Sequence, residues 1–130
     1  MTTLIDSSAL LGLLDGRHRL HSMLRHQLAY ELDVEGEVAA TNYVAIETFD
    51  AVRCRLGTSA LKVLVREILP ALEIVWVQPA EHALALELFL ASGEHGSLSM
   101  IDFTTLLVAR RLGTDRCIAV DERFEPEGLV

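Results

Sequence analysis

Thr3-Leu4-Ile5-Asp6-Ser7-Ser8-Ala9-Leu10 decides the fold. Thr3-Leu4-Ile5 is a short β-favouring run that stops at an acid. Ser7 or Ser8 can cap a helix carrying Leu10, Leu11, Leu13 and Leu14. A strand that ends on a carboxylate and passes directly into a helix is the first half of a βαβ unit. It also places Asp6 at the carboxyl end of its strand, where open α/β sheets gather function.

The rest of the chain repeats the alternation. A helical stretch from about Arg17 to Leu32 carries Leu20, Leu24 and Leu28 on one face. Asp33 to Glu37 is a turn, and Val38-Ala39-Ala40 is a brief candidate strand. Thr41 or Asn42 caps a helix that runs to Leu56 and stops at Gly57. Ser59 begins another, with Leu61, Leu64, Val65 and Ile68 inward, ended by Pro70. Glu73-Ile74-Val75-Trp76-Val77 is the clearest strand, with Trp76 read as core. A helix from Pro79 to about Ser92 precedes a loop from Gly93 to Gly96. Ser99 caps a helix from Met100 to Leu112, which Gly113 stops, and Arg110 and Arg111 complement its C-terminal dipole. Cys117-Ile118-Ala119-Val120 is the last strand, ending at Asp121, and the tail beyond Phe124 reads as irregular. Strands separated by helices imply right-handed crossovers and a parallel sheet covered on both faces.

Composition narrows the function classes. The 130 residues suit one domain, and 51% hydrophobic against 23% charged residues describes a folded globular chain. The formal charge of −8 argues against a protein that coats nucleic acid, because phosphate binding needs clustered Lys and Arg. Cys54 and Cys117 have no metal-ligand spacing and read as buried thiols in a reducing cytoplasm. No segment has the pattern of a signal peptide or the length of a membrane span, so no membrane partner is expected.

Four acids stand where metal-assisted phosphodiester hydrolysis would need them: Asp6, Glu47, Asp102 and Asp121. Asp6 and Asp121 each follow a strand, while Glu47 and Asp102 lie in helices. Converging carboxylates make a site of hard oxygen donors suited to Mg²⁺ or Mn²⁺. Each acid also has a plain structural reading. Asp6 favours a helix N-terminus by charge. Glu47 can be a solvated helix acid, with Asp50 on the same face as a rival ligand or supporting partner. Ser99 to Asp102 is an S-x-x-D capping box. Asp121 can be a turn residue, with Glu122 and Glu125 close by. His18, His21 and His26 cluster on the second helix without a third ligand of known pattern. Arg17, Arg19 and Arg25 face either substrate or solvent, and His82 and His95 show no role.

Taken in order and spacing, these segments resemble the PIN-domain family, in particular VapC-like toxin ribonucleases of type II toxin–antitoxin pairs. The matching parts are residues 4–10, Thr41 with Glu47, Leu98-Ser99-Met100-Ile101-Asp102, Arg111-Leu112-Gly113, and Asp121 with Phe124. The resemblance implies a three-layer α/β/α fold with a central parallel sheet over a single PIN-like domain, residues 1–130. It implies a divalent-metal-dependent endoribonuclease whose catalytic and metal-binding acids are Asp6, Glu47, Asp102 and Asp121. It further implies an RNA substrate, a cognate antitoxin with a basic tail, and a homodimer. The apolar faces around Leu11, Leu14, Leu20 and Leu24 are candidate interface. One position departs from the pattern: many relatives carry Thr or Ser two residues before the last acid, where this chain has Ala119. Ser7, Ser8 and Ser99 are hydroxyls that could stand in.

Two other classes compete. A non-catalytic PIN-fold interaction module would bind a partner without cutting; Ala119 favours it and the complete acid set opposes it. A phospho-acceptor receiver domain would need adjacent acids after the first strand, an Asp after the middle strand and a Lys after the last. Here Ser7, Gln78-Pro79 and Glu122 occupy those places.

Overall fold

The computed structural model describes residues 2–34 and 36–120. The four strands β1 (Thr3–Ile5), β2 (Val38–Thr41), β3 (Glu73–Val75) and β4 (Cys117–Ile118) form one parallel sheet in the order β3-β2-β1-β4. Around it lie α1 (Ser7–Leu14), α2 (His21–Val34), α3 (Asn42–Arg55), α4 (Thr58–Val63), α5 (Pro79–Ser92) and α6 (Met100–Leu112). α4 continues through a π-helical turn, Leu64–Ile68, and a 3-10 turn, Leu69–Ala71.

Period-2 alternation assigns the two faces of the sheet. Ile5, Val38, Ala40 and Ile118 pack with Leu10, Leu13, Leu24, Val44, Val52 and Leu64, so α1 to α4 cover one face. Leu4, Ala39 and Cys117 pack on the other face with Ala109, Leu106 and Leu112 of α6. α5 lies outermost there and packs against α6. This is the expected three-layer α/β/α arrangement, buried on both faces as a parallel sheet must be. Gly12 lets α1 and α2 close together: a Cβ at that position would sit 2.4 Å from Leu24 Cδ1.

Several local expectations change. Asp6, and neither Ser7 nor Ser8, caps α1, accepting from the Ala9 N–H. α2 starts at His21, four residues later than periodicity suggested, because His18 and His21 build the preceding turn. His18 Nδ1 accepts from the Leu20 N–H at 3.0 Å, and His21 Nδ1 lies 2.9 Å from the Gly12 carbonyl. Leu24 is buried and Leu11, Leu14 and Leu20 pack against the core, so the early helices spend their apolar faces internally. Val65 is exposed, because the π-turn widens the helix just where a regular period would turn it inward. Cys54 is exposed on α3, whereas Cys117 is buried as expected.

Trp76 is 70% exposed and so lies outside the core. The edge strand β3 ends two residues earlier than read, at Val75, and the tryptophan follows it. Glu31 is the converse: a buried acid on α2, ion-paired with Arg116 and accepting from the Thr3 hydroxyl at 3.1 Å. That pair satisfies a charge that burial would otherwise penalise heavily. Among the described residues, no helix is long and apolar enough to cross a membrane.

Candidate active site

β1 delivers Asp6 to the carboxyl edge of the sheet. Its N–H donates to the Ile118 carbonyl at 3.1 Å, continuing the ladder to β4. Its side chain, 5% exposed, accepts at Oδ1 from the Ala9 N–H at 3.0 Å and from the Ser8 hydroxyl at 2.7 Å. Ser8 Oγ in turn accepts from the Val120 N–H at 3.1 Å. One hydroxyl therefore orients the first acid and pins the backbone just before Asp121.

Glu47 comes to Asp6 through Ser7. α3 packs against α1, and the Ser7 hydroxyl donates to Glu47 Oε1 at 2.5 Å. Glu47 is exposed, as a helix acid at a groove wall should be, but it is not simply solvated. Tyr43, Ile46, Glu47, Asp50, Cys54 and Ile101 line a groove of about 640 Å³ beside it.

Asp102 occupies the third position of α6 and fulfils the capping box. Its Oδ2 accepts from the Ser99 N–H at 2.8 Å, and its own N–H donates to Ser99 Oγ at 3.1 Å. It is 8% exposed. Capping and a place in the site coexist, because the first turn of α6 begins at the same edge of the sheet. Cys117 reports this convergence. Burial pushes its thiol well above the ordinary range, and the charges of Asp6 and Asp102 both push it further. Both aspartates therefore lie near enough to this thiol, on β4 next to β1, to act on it through charge.

Asp6 and Asp102 thus converge, and Ser7 links Glu47 to them; Asp121 lies outside the described residues. Among the described residues, no group of three or more His, Cys, Asp and Glu side chains is close enough to hold a metal ion. The donors that do converge are carboxylate oxygens, which suit a hard divalent cation and not a thiophilic one. Of the three histidines, His18 and His21 bond in and around the α1–α2 turn, while His26 is exposed on α2. Ser7 and Ser8 are the residues whose roles sequence reasoning left open. Their local signals were a capping hydroxyl and adjacency to Asp6, and neither named the partners they find in the fold.

A family model for the PIN domain matches residues 3–126. The chain belongs to the PIN domain family. Three solved structures share this PIN fold over the whole chain. VapC20 of Mycobacterium tuberculosis, described as a sarcin–ricin-loop-cleaving toxin, superposes with a TM-score of 0.84 at 21% identity, covering 100% of this chain and 97% of that one. FitAcB of Neisseria gonorrhoeae gives 0.73 at 15% identity, covering 100% of this chain and 95% of that one. PAE2754 of Pyrobaculum aerophilum gives 0.65 at 16% identity, with 100% and 88% covered. At such identities the likeness is one of fold. No curated protein matches this PIN domain by sequence.

Proposed function

We propose that this PIN domain, taken as one unit over residues 1–130, is a divalent-metal-dependent endoribonuclease and the toxin of a type II toxin–antitoxin pair. The observation that carries the reading is that the Ser7 hydroxyl joins Glu47 to the strand end bearing Asp6, where the charges of Asp6 and Asp102 both act on Cys117. The fold it shares with a toxin that cleaves the sarcin–ricin loop supports RNA as the substrate.

Asp6, Glu47, Asp102 and Asp121 are the residues that would hold Mg²⁺ or Mn²⁺. When bound, the metal would supply an activated water and neutralise charge growing on the phosphate and the leaving oxygen. The chain itself supplies position. Ala9 and Ser8 fix one oxygen of Asp6, Ser99 fixes one of Asp102, and Ser7 fixes one of Glu47. Hydrolysis at such a site leaves 5′-phosphate and 3′-hydroxyl ends.

The partners follow from charge and surface. A net charge of −8 with an acidic crevice suits a basic antitoxin tail. α5 exposes Leu84, Leu86, Leu88, Phe89 and Leu90. A helix that leaves this many apolar side chains exposed needs a cover, and a second copy of the chain is the cover we assign, giving a homodimer. A reducing cytoplasm suits the two thiols.

The test is cleavage of total cellular RNA by the purified, partner-free protein with Mn²⁺ or Mg²⁺, with chelator, and with Asp6→Asn, mapping new 5′ ends. Discrete metal-dependent ends that the variant lacks are expected. A folded, partner-free protein that makes no new ends would favour the non-catalytic interaction module instead.

A further inference from the structure

We infer that Trp76, Tyr43 and His82 form a stacking platform for an unpaired base of single-stranded RNA, beside the acid site. The inference rests on the ribonuclease reading above and adds how substrate is held.

The three residues lie at the carboxyl edge of the sheet, on its β3 side. Val75 of β3 is in register with Thr41 of β2, so Trp76 follows on β3 as Asn42 follows on β2. The Asn42 side chain accepts from the Val77 N–H at 2.8 Å, and the Arg111 guanidinium donates to the Trp76 carbonyl at 3.0 Å. The backbone on both sides of the tryptophan is therefore anchored, while Trp76 itself is 70% exposed. Tyr43 follows Asn42 directly. Its hydroxyl lies 2.5 Å from His82 Nδ1, and the two rings stand edge to face with centroids 5.8 Å apart. Tyr43 also precedes Glu47 by one helical turn and lines the same groove. Tyr43 thus joins the platform to the groove beside Glu47.

Charge explains why aromatic rings are needed. The chain has 11 Lys and Arg against 19 Asp and Glu. Arg111, the cation beside Trp76, is already bonded to Glu81 at 2.8 Å. Arg116 pairs with Glu31 at the opposite, amino end of the sheet. Ionic grip on phosphates is the usual source of affinity for nucleic acid, and in the adjoining groove Arg55 supplies one cation against the two carboxylates of Glu47 and Asp50. Base stacking needs no charge, tolerates any base, and requires an unpaired strand.

Trp76 is the chain's only tryptophan, so its emission reads the platform directly. The experiment titrates the full chain in chelator with a short single-stranded RNA, and with the same sequence as a duplex. Trp76→Ala and Trp76→Phe are then compared by anisotropy of labelled RNA. Single strands should quench the emission and duplex should not. Trp76→Ala should weaken binding at least about fivefold, and Trp76→Phe should restore most of it. Circular dichroism of each variant confirms folding, which replacement of so exposed a side chain leaves intact. Because chelator prevents cleavage, binding is scored apart from the ribonuclease reading. A protein that cuts RNA yet shows neither quenching nor a Trp76→Ala effect overturns the platform alone. Emission that tracks protein concentration and ignores RNA overturns it in favour of a second copy covering Trp76.

Discussion

The Ser7 hydroxyl donates to Glu47 Oε1 at 2.5 Å, joining residues 40 apart in sequence. Ser7 is also the neighbour of Asp6, so one short side chain sets the relation between a strand-end acid and a helix acid. Ser7→Ala should lower the cleavage rate by about 10-fold, as loss of a supporting partner around a metal site does. Stability should stay within about 0.5 kcal/mol, since the bond is exposed. Initial rates and thermal melts of the two proteins check this, and an unchanged rate would show that Ser7 does not set Glu47.

Asp6 caps α1, and the proposed nuclease gives it a second, separable job. Asparagine caps a helix as well as aspartate does, so Asp6→Asn should keep α1 stable while abolishing cleavage. Asp6→Ala should also abolish cleavage and cost about 1 kcal/mol more through the lost cap. Saturating Mg²⁺ or Mn²⁺ should raise the melting temperature of the wild type by mass action, and less so that of Asp6→Asn. Equal metal shifts in both proteins would remove Asp6 from the ligand set.

Glu81 and Arg111 tie the start of α5 to the end of α6, and the same guanidinium holds the Trp76 carbonyl. The Arg111 side chain lowers the Glu81 pKa below its ordinary value. A carboxylate with a lowered folded-state pKa contributes stability above its unfolded value, about 4.3, and loses it as pH falls through the folded value. Glu81→Gln should therefore destabilise the protein by about 1 kcal/mol at neutral pH. The difference from wild type should shrink as pH drops below about 4. Urea melts at several pH values measure it, and a difference that grows toward acid would contradict the assignment.

The two thiols should react at very different rates. Cys54 is exposed, whereas Cys117 is buried and held protonated by burial and by Asp6 and Asp102. A maleimide should label Cys54 in the native protein and Cys117 only after unfolding. Mass spectrometry of peptides from native and denatured samples decides it. Fast native labelling of Cys117 would mean that the Asp6–Asp102 region opens readily.

Much of the α/β alternation was legible in the chain because its signals are short-range. The Ser99–Asp102 box, the Gly113 stop with φ of 70° and the Thr41 cap each depend on a few neighbouring atoms. Asp6 and Asp102 could be placed at the sheet edge for the same reason: each is tied to an element end that the local pattern marks. Where local chemistry offered rivals the reading was weaker. Asp6 outcompeted Ser7 and Ser8 as the cap, and the α1–α2 turn used histidines that periodicity had assigned to a helix.

Other features needed the tertiary structure, because exposure and partners depend on what packs against a residue from far along the chain. β-propensity could place Trp76 near a strand, but only the edge position of β3 leaves its ring in solvent. A charged pattern could not show that Glu31 is buried, because its partners Arg116 and Thr3 lie 85 and 28 residues away. The sequence by itself determined the alternation of elements and the presence of acids at their ends. The tertiary structure decided that Ser7 reaches Glu47, that Ser8 bridges Asp6 and Val120, and that the charges of Asp6 and Asp102 both act on Cys117. Hydrogen bonds and charge coupling act over a few ångströms, and only folding brings those atoms within that range.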